Sequence, residues 1–90
     1  MKDAKLIILD DELNILHALE RLFSDEPYEV FATTDHQEAL KVLQDGNAKV
    51  VLSDQKMPGL SGIDFLRMVK EKFPDVIRIM FTGYSDLQLA

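Results

Sequence analysis

Short apolar runs alternate with stretches of helical periodicity, and that alternation narrows the fold more than any other feature of the chain. Leu6-Ile7-Ile8-Leu9 is a continuous apolar run of the kind found in strands covered on both faces. Ile15, Leu16, Leu19, Leu22 and Phe23 follow at helical spacing, and Pro27 is read as the end of that helix. Tyr28 to Thr33 has strand composition; Ala39, Leu40 and Leu43 mark a second helix from Asp35, stopped by Asp45-Gly46-Asn47. Val50-Val51-Leu52 is a third strand. Ile63, Leu66, Val69 and Phe73 mark a third helix, entered from a Pro58-to-Gly62 loop and closed by Pro74. Val76 to Phe81 is a fourth strand, and Ser85-Asp86 has the form of a further helix cap. Strands alternating with helices predict an α/β fold: a doubly wound parallel sheet with helices on both faces, joined by right-handed crossovers.

Length and composition bound the rest. Ninety residues hold one domain, 1–90, with a core near the lower size limit for such a sheet. Hydrophobic residues make up 47% and charged residues 29%, the balance of a globular chain rather than a disordered one. A net charge of −6 argues against nucleic acid or anionic lipid as a partner. The absence of cysteine excludes disulfides and thiolate metal sites. No segment has the form of a signal peptide or membrane span, so a cytoplasmic location is expected.

In open parallel sheets, ligands bind beyond the carboxyl ends of the strands, where strand order reverses. Asp10 and Asp11 follow the first strand, Asp54 follows the third, and Thr82 follows the fourth. Should the first and third strands be neighbours, the three acids share one crevice. Clustered carboxylates raise one another's pKa unless a cation lies among them, and an oxygen-only ligand set suits Mg²⁺. A hydroxyl beside such a site suits phosphoryl chemistry. The plainer alternative is that these acids start turns and cap helices, with Asp11 capping a helix that begins near Glu12.

Three segments taken together resemble a known family. Leu6-Ile7-Ile8-Leu9-Asp10-Asp11-Glu12, Val51-Leu52-Ser53-Asp54-Gln55-Lys56-Met57-Pro58-Gly59-Leu60-Ser61-Gly62 and Met80-Phe81-Thr82-Gly83-Tyr84 resemble, in order, the diagnostic motifs of response-regulator receiver domains. The resemblance implies a flavodoxin/CheY-like three-layer sandwich with strand order 2-1-3-4. It implies that Asp54 is the phosphoacceptor, Asp11 a direct Mg²⁺ ligand, and Asp10 a ligand mostly through water. Lys56 would lend its backbone carbonyl to the metal, and Thr82 would hydrogen-bond the phosphoryl group. The implied partner is a cognate histidine kinase or phosphotransfer protein.

The family pattern also includes a fifth strand with a lysine at its end and a last helix, and these 90 residues have no counterpart of either. Phosphorylation of this chain alone is therefore expected to be slow or absent. The fourth strand becomes an edge, so self-association through it is expected, the alternative being a piece of a longer regulator. Met57, Pro58 and Gly62 are read as loop-shaping, Met68 and Met80 as core filler, His17 and His36 as surface residues, and Lys70, Glu71 and Lys72 as a solvated helix face. Tyr84 fits either a partner surface or a cover for the sheet end. Two other function classes compete with the switch: an interaction module that never receives phosphate, and an aspartyl phosphatase. The phosphatase usually wants an acid two residues after its nucleophile, where this chain has Lys56.

Overall fold

The computed structural model describes residues 4–57 and 59–81. They form β1 (Ala4–Leu9), α1 (Leu13–Leu22), β2 (Tyr28–Thr33), α2 (His36–Gln44), β3 (Ala48–Asp54), α3 (Gly62–Lys72) and β4 (Ile77–Phe81). All neighbouring strands are parallel, in the order β2-β1-β3-β4. The expected sheet and strand order are both present.

The apolar run of β1 explains why this strand lies inside the sheet. Leu6, Ile7, Ile8 and Leu9 are all buried, and alternation sends them to opposite faces. Ile7 and Leu9 pack with Ala39 and Leu43 of α2, Val51 of β3, and Phe65 and Val69 of α3. Leu6 and Ile8 pack on the other face with Leu16 of α1. The molecule is thus layered, with α2 and α3 on one side of the sheet and α1 on the other.

The α1 side is covered unevenly. Register aligns Val30, Leu6, Val50 and Ile77 in one row, and Ala32, Ile8, Leu52 and Ile79 in the next. Leu6 and Ile8 lie under α1, Val50 and Leu52 are half-buried, and Ile77 and Ile79 are 59% and 46% exposed. Met80 is also exposed, at 40%, so it is not the core filler that its type suggested. Met68 is half-buried.

Helix ends follow the local chemistry. Asp35 caps α2 by accepting from Gln37 N–H at 2.9 Å. Gly46, at φ +89°, turns the chain out of α2 in a conformation that favours glycine. Helix α1 stops at Leu22, before Pro27, because a tight turn through Ser24 and Glu26 hydrogen-bonds back to Arg21 and Phe23. Of its apolar positions only Leu16 is fully buried, whereas Ile15 and Leu22 face water. Strand β3 extends beyond its apolar centre at both ends, so that Asp54 is its last residue rather than the first after it. His17 is exposed and His36 half-buried; Lys70, Glu71 and Lys72 are exposed.

Phe65 is fully buried between α3 and the sheet. Phe65→Ala is expected to cost about 3–5 kcal/mol, a large share of a small domain's stability. Leu22→Ala, at a position 69% exposed, is expected to change stability by less than about 0.5 kcal/mol. Urea denaturation followed by circular dichroism distinguishes the two.

Candidate metal and phosphoacceptor site

Sheet register brings the acids together. Strand order reverses at β1, whose two neighbours are β2 and β3. Leu9 pairs with Ser53, so the next residues along, Asp10 and Asp54, sit side by side at the carboxyl edge. One carboxylate oxygen from each of Asp10, Asp11 and Asp54 lies within 4.8 Å of the others. Asp10 and Asp54 are buried, and Asp11 is exposed at the rim.

Backbone contacts fix these side chains. Asp10 N–H donates to the Thr33 carbonyl at 3.3 Å, which extends the β1–β2 ladder by one rung. Asp10 Oδ1 then accepts from Glu12 N–H at 2.9 Å. Asp10, not Asp11, therefore makes the local turn that leads into α1. The residue at the helix cap is Glu12, whose side chain caps nothing. This removes the plain reading of Asp11 and leaves its carboxylate turned to the cluster.

The electrostatics are unfavourable for protein groups alone. The Asp10 pKa is raised from 3.8 to about 6, chiefly by burial and further by the charge of Asp54 and the proximity of Asp11, with the Glu12 N–H offsetting part of the rise. Asp54 Oδ1 is buried with no hydrogen-bond partner among the described residues. A buried carboxylate oxygen without a donor costs free energy unless something positive reaches it. Three clustered carboxylates, one with an orphaned oxygen, fit a hard divalent cation such as Mg²⁺.

On the other side of Asp54 the chain is packed against the start of α3. Gly62 N–H donates to the Gln55 carbonyl at 2.9 Å. A Cβ on Gly62 would collide with the Asp54 carbonyl oxygen and lie 2.8 Å from Gln55 Cα, so only glycine permits this approach. Ser61 caps α3 through Asp64 N–H at 3.2 Å. Ile63 N–H is taken by the Gln55 side chain, Oε1, at 3.0 Å. Lys56 is exposed in the loop between Gln55 and Gly62. Thr82, Gly83, Tyr84 and the Ser85-Asp86 cap, like Pro58, lie outside the described residues. Sequence reasoning did not single out Gln55 or Thr33. Their contacts are made by backbone groups or by an amide that carries no motif, and the only signal was position at a strand end.

A parallel sheet in the order β2-β1-β3-β4 with an acidic cluster at its switch point defines a doubly wound α/β domain with a candidate cation site, and comparison with known proteins narrows the class. The model of the response regulator receiver domain family matches residues 6–90, and the chain belongs to that family. It is 39% identical over 85 residues to the hydrogenase transcriptional regulatory protein HoxA of Cupriavidus necator, covering 94% of this chain and 17% of that protein. It is 30% identical over 89 residues to sporulation initiation phosphotransferase F of Bacillus subtilis, covering 99% of the chain and 72% of that protein. Among solved structures it resembles response regulator TrrA of Thermotoga maritima, in complex with Mg²⁺ and BeF, at a TM-score of 0.81 and 32% identity over 96% of this chain and 75% of that one. The chain thus spans less than a fifth of HoxA but most of the sporulation protein. Among the described residues no helix is long and apolar enough to cross a membrane.

Because its pKa in the folded protein is raised, Asp10 favours the folded state while protonated and opposes it once ionised. In chelator, its contribution is expected to be most favourable below pH 3.8 and to be lost as pH rises to about 6. Thermal melts of wild type and Asp10→Asn across that range test this. The stability difference between the two should shift toward the variant as pH rises, and parallel curves would contradict the assignment.

Proposed function

We propose that the chain, residues 1–90, is one receiver domain that works as a Mg²⁺-dependent phosphoacceptor switch, with Asp54 taking the phosphoryl group. The observation that carries this reading is the buried, unpartnered Asp54 Oδ1 beside Asp10 and Asp11 at the switch point of the sheet. The magnesium and beryllofluoride bound to the TrrA relative support the same chemistry here.

In this reading Asp11, Asp54 and the backbone carbonyl of Lys56 hold the ion, and Asp10 acts mostly through water. The ion supplies positive charge against both the carboxylates and the incoming phosphoryl oxygens. The donor is a phosphohistidine on a histidine kinase or phosphotransfer protein. The Asp54 carboxylate oxygen forms a bond to phosphorus as the phosphorus–nitrogen bond breaks, and the freed imidazole takes a proton from solvent. Thr82 hydrogen-bonds the transferred group. Asp54 is a phosphate carrier rather than a turnover catalyst, and at most the site assists gain and loss of its own phosphoryl group. The setting is the cytoplasm, and neither nucleic acid nor membrane is a partner of this segment.

Beryllofluoride binding followed by fluorine NMR tests the assignment. Binding is expected at millimolar Mg²⁺, to vanish on chelation and to vanish in Asp54→Asn. No signal from folded wild-type protein in millimolar Mg²⁺ would favour a non-phosphorylated interaction module.

A second reading concerns assembly and rests on the exposure of Ile77, Ile79 and Met80 along β4. The 90-residue chain pairs with itself through this strand. Sedimentation velocity is expected to show a dimer that Ile77→Lys with Ile79→Lys returns to monomer. A wild-type monomer at high micromolar concentration would rule it out.

A further inference from the structure

The first turn of α3 is tied to the phosphoacceptor strand by a single residue, Gln55. Its carbonyl accepts from Gly62 N–H at 2.9 Å and its side-chain Oε1 from Ile63 N–H at 3.0 Å. With Ser61 Oγ on Asp64 N–H, all the amides of the first helical positions are engaged, two of them by a residue that precedes the helix by a whole loop. An ordinary cap lies directly before its helix and holds only the helix. Gln55 holds the helix to the last strand residue and closes the loop 56–61 at its base. The missing Cβ of Gly62 lets the two backbones meet closely enough for both bonds to form.

We propose that Gln55 is a positioning residue for the metal: its side-chain amide clamps α3 to the end of β3 and so holds the loop from which the Lys56 carbonyl reaches the ion. The inference rests on the reading of the acidic cluster as a Mg²⁺ site. Binding an ion through a backbone carbonyl requires that peptide to be ordered. A loop fixed beforehand has met that entropy cost in folding, whereas a loose loop meets it on binding. Gln55 touches neither ion nor phosphoryl group, so its effect is on affinity through the loop.

The bond can be removed from either end. Gln55→Met keeps the length of the side chain and deletes the acceptor. Ile63→Pro deletes the donor in the first turn, where that N–H makes no intrahelical bond. Each is expected to weaken Mg²⁺ binding about threefold to tenfold by calorimetry, the scale of partly freeing one residue's backbone. The double variant is expected to be no weaker than the weaker single, because both remove one interaction. Gln55→Glu, which keeps an acceptor, should restore protection of the Ile63 amide against hydrogen exchange; Gln55→Met should lose it. Mg²⁺ affinity unchanged in both single variants, or full additivity in the double, overturns the proposal while leaving the metal site intact. Absence of Mg²⁺ binding by folded wild-type protein overturns the metal site itself, and this proposal with it.

Discussion

Everything at the functional edge depends on one adjacency: parallel pairing of β1 with β3 places Asp10 beside Asp54. Each strand is held in register by residues that have no other place to go. Ile7, Leu9 and Val51 fill the α2–α3 face, and Leu6 and Ile8 fill the α1 face. Slipping the pairing by one residue would turn every one of these side chains to the wrong layer. The core therefore overrules the repulsion between the acids at its end. Hydrophobic burial along the strands is large and non-directional, whereas the carboxylate contact is local, so the protein folds with an electrostatic deficit concentrated at one point. The raised pKa of Asp10 and the orphaned oxygen of Asp54 are two expressions of that deficit.

A deficit of this kind makes the site responsive. A group of negative charges already relaxed by protein donors would gain little from a cation. Here Asp10 has one backbone donor, from Glu12, and Asp54 Oδ1 has none. In the proposed metal-bound state the ion meets carboxylates that the described residues leave under-compensated, beside the backbone of β3 and the loop that follows it. The same arrangement explains the division between rim and floor. Asp11 is exposed and can exchange ligands with solvent, whereas Asp10 and Asp54 are buried and set the charge that any ligand must meet.

The sequence made the scaffold legible because its signals are periodic and apolar. A strand buried on both faces writes itself as Leu6-Ile7-Ile8-Leu9, and Asp35 and Ser61 are caps that perform as caps. The acids of the candidate site were legible for a related reason: they fall at strand ends that topology singles out. What could not be read was anything decided by coverage or by backbone proximity. Ile77 and Ile79 have core composition yet stand exposed, because the α1-side cluster is built on β1, α1 and β2 with only the half-buried Val50 and Leu52 of β3 beside it, and Met80 on the other face is exposed as well. Leu22 belongs to an apolar helical pattern and still faces water. Asp11 offered capping as an alternative to its metal role, but the turn at that point is made by Asp10 through Glu12 N–H. Gln55 carries no motif, since nothing about a glutamine in a loop announces which amide it will meet.

The commitment of the α3 amides bears on how the site handles anions. A helix N-terminus is a ready anion site when its first N–H groups are free, and many phosphate-binding folds use one. In this chain α3 begins close to Asp54 and might have served. Yet Gly62, Ile63 and Asp64 donate instead to the Gln55 carbonyl, the Gln55 side chain and Ser61. With those donors engaged, the start of α3 has little left to offer a further anion. In the proposed switch, part of the charge of a phosphoryl group beside three carboxylates therefore falls to the cation that the acids hold. The proposed metal dependence thus follows from how α3 is fastened as well as from the acidic cluster, since the fastening takes up these neutral donors.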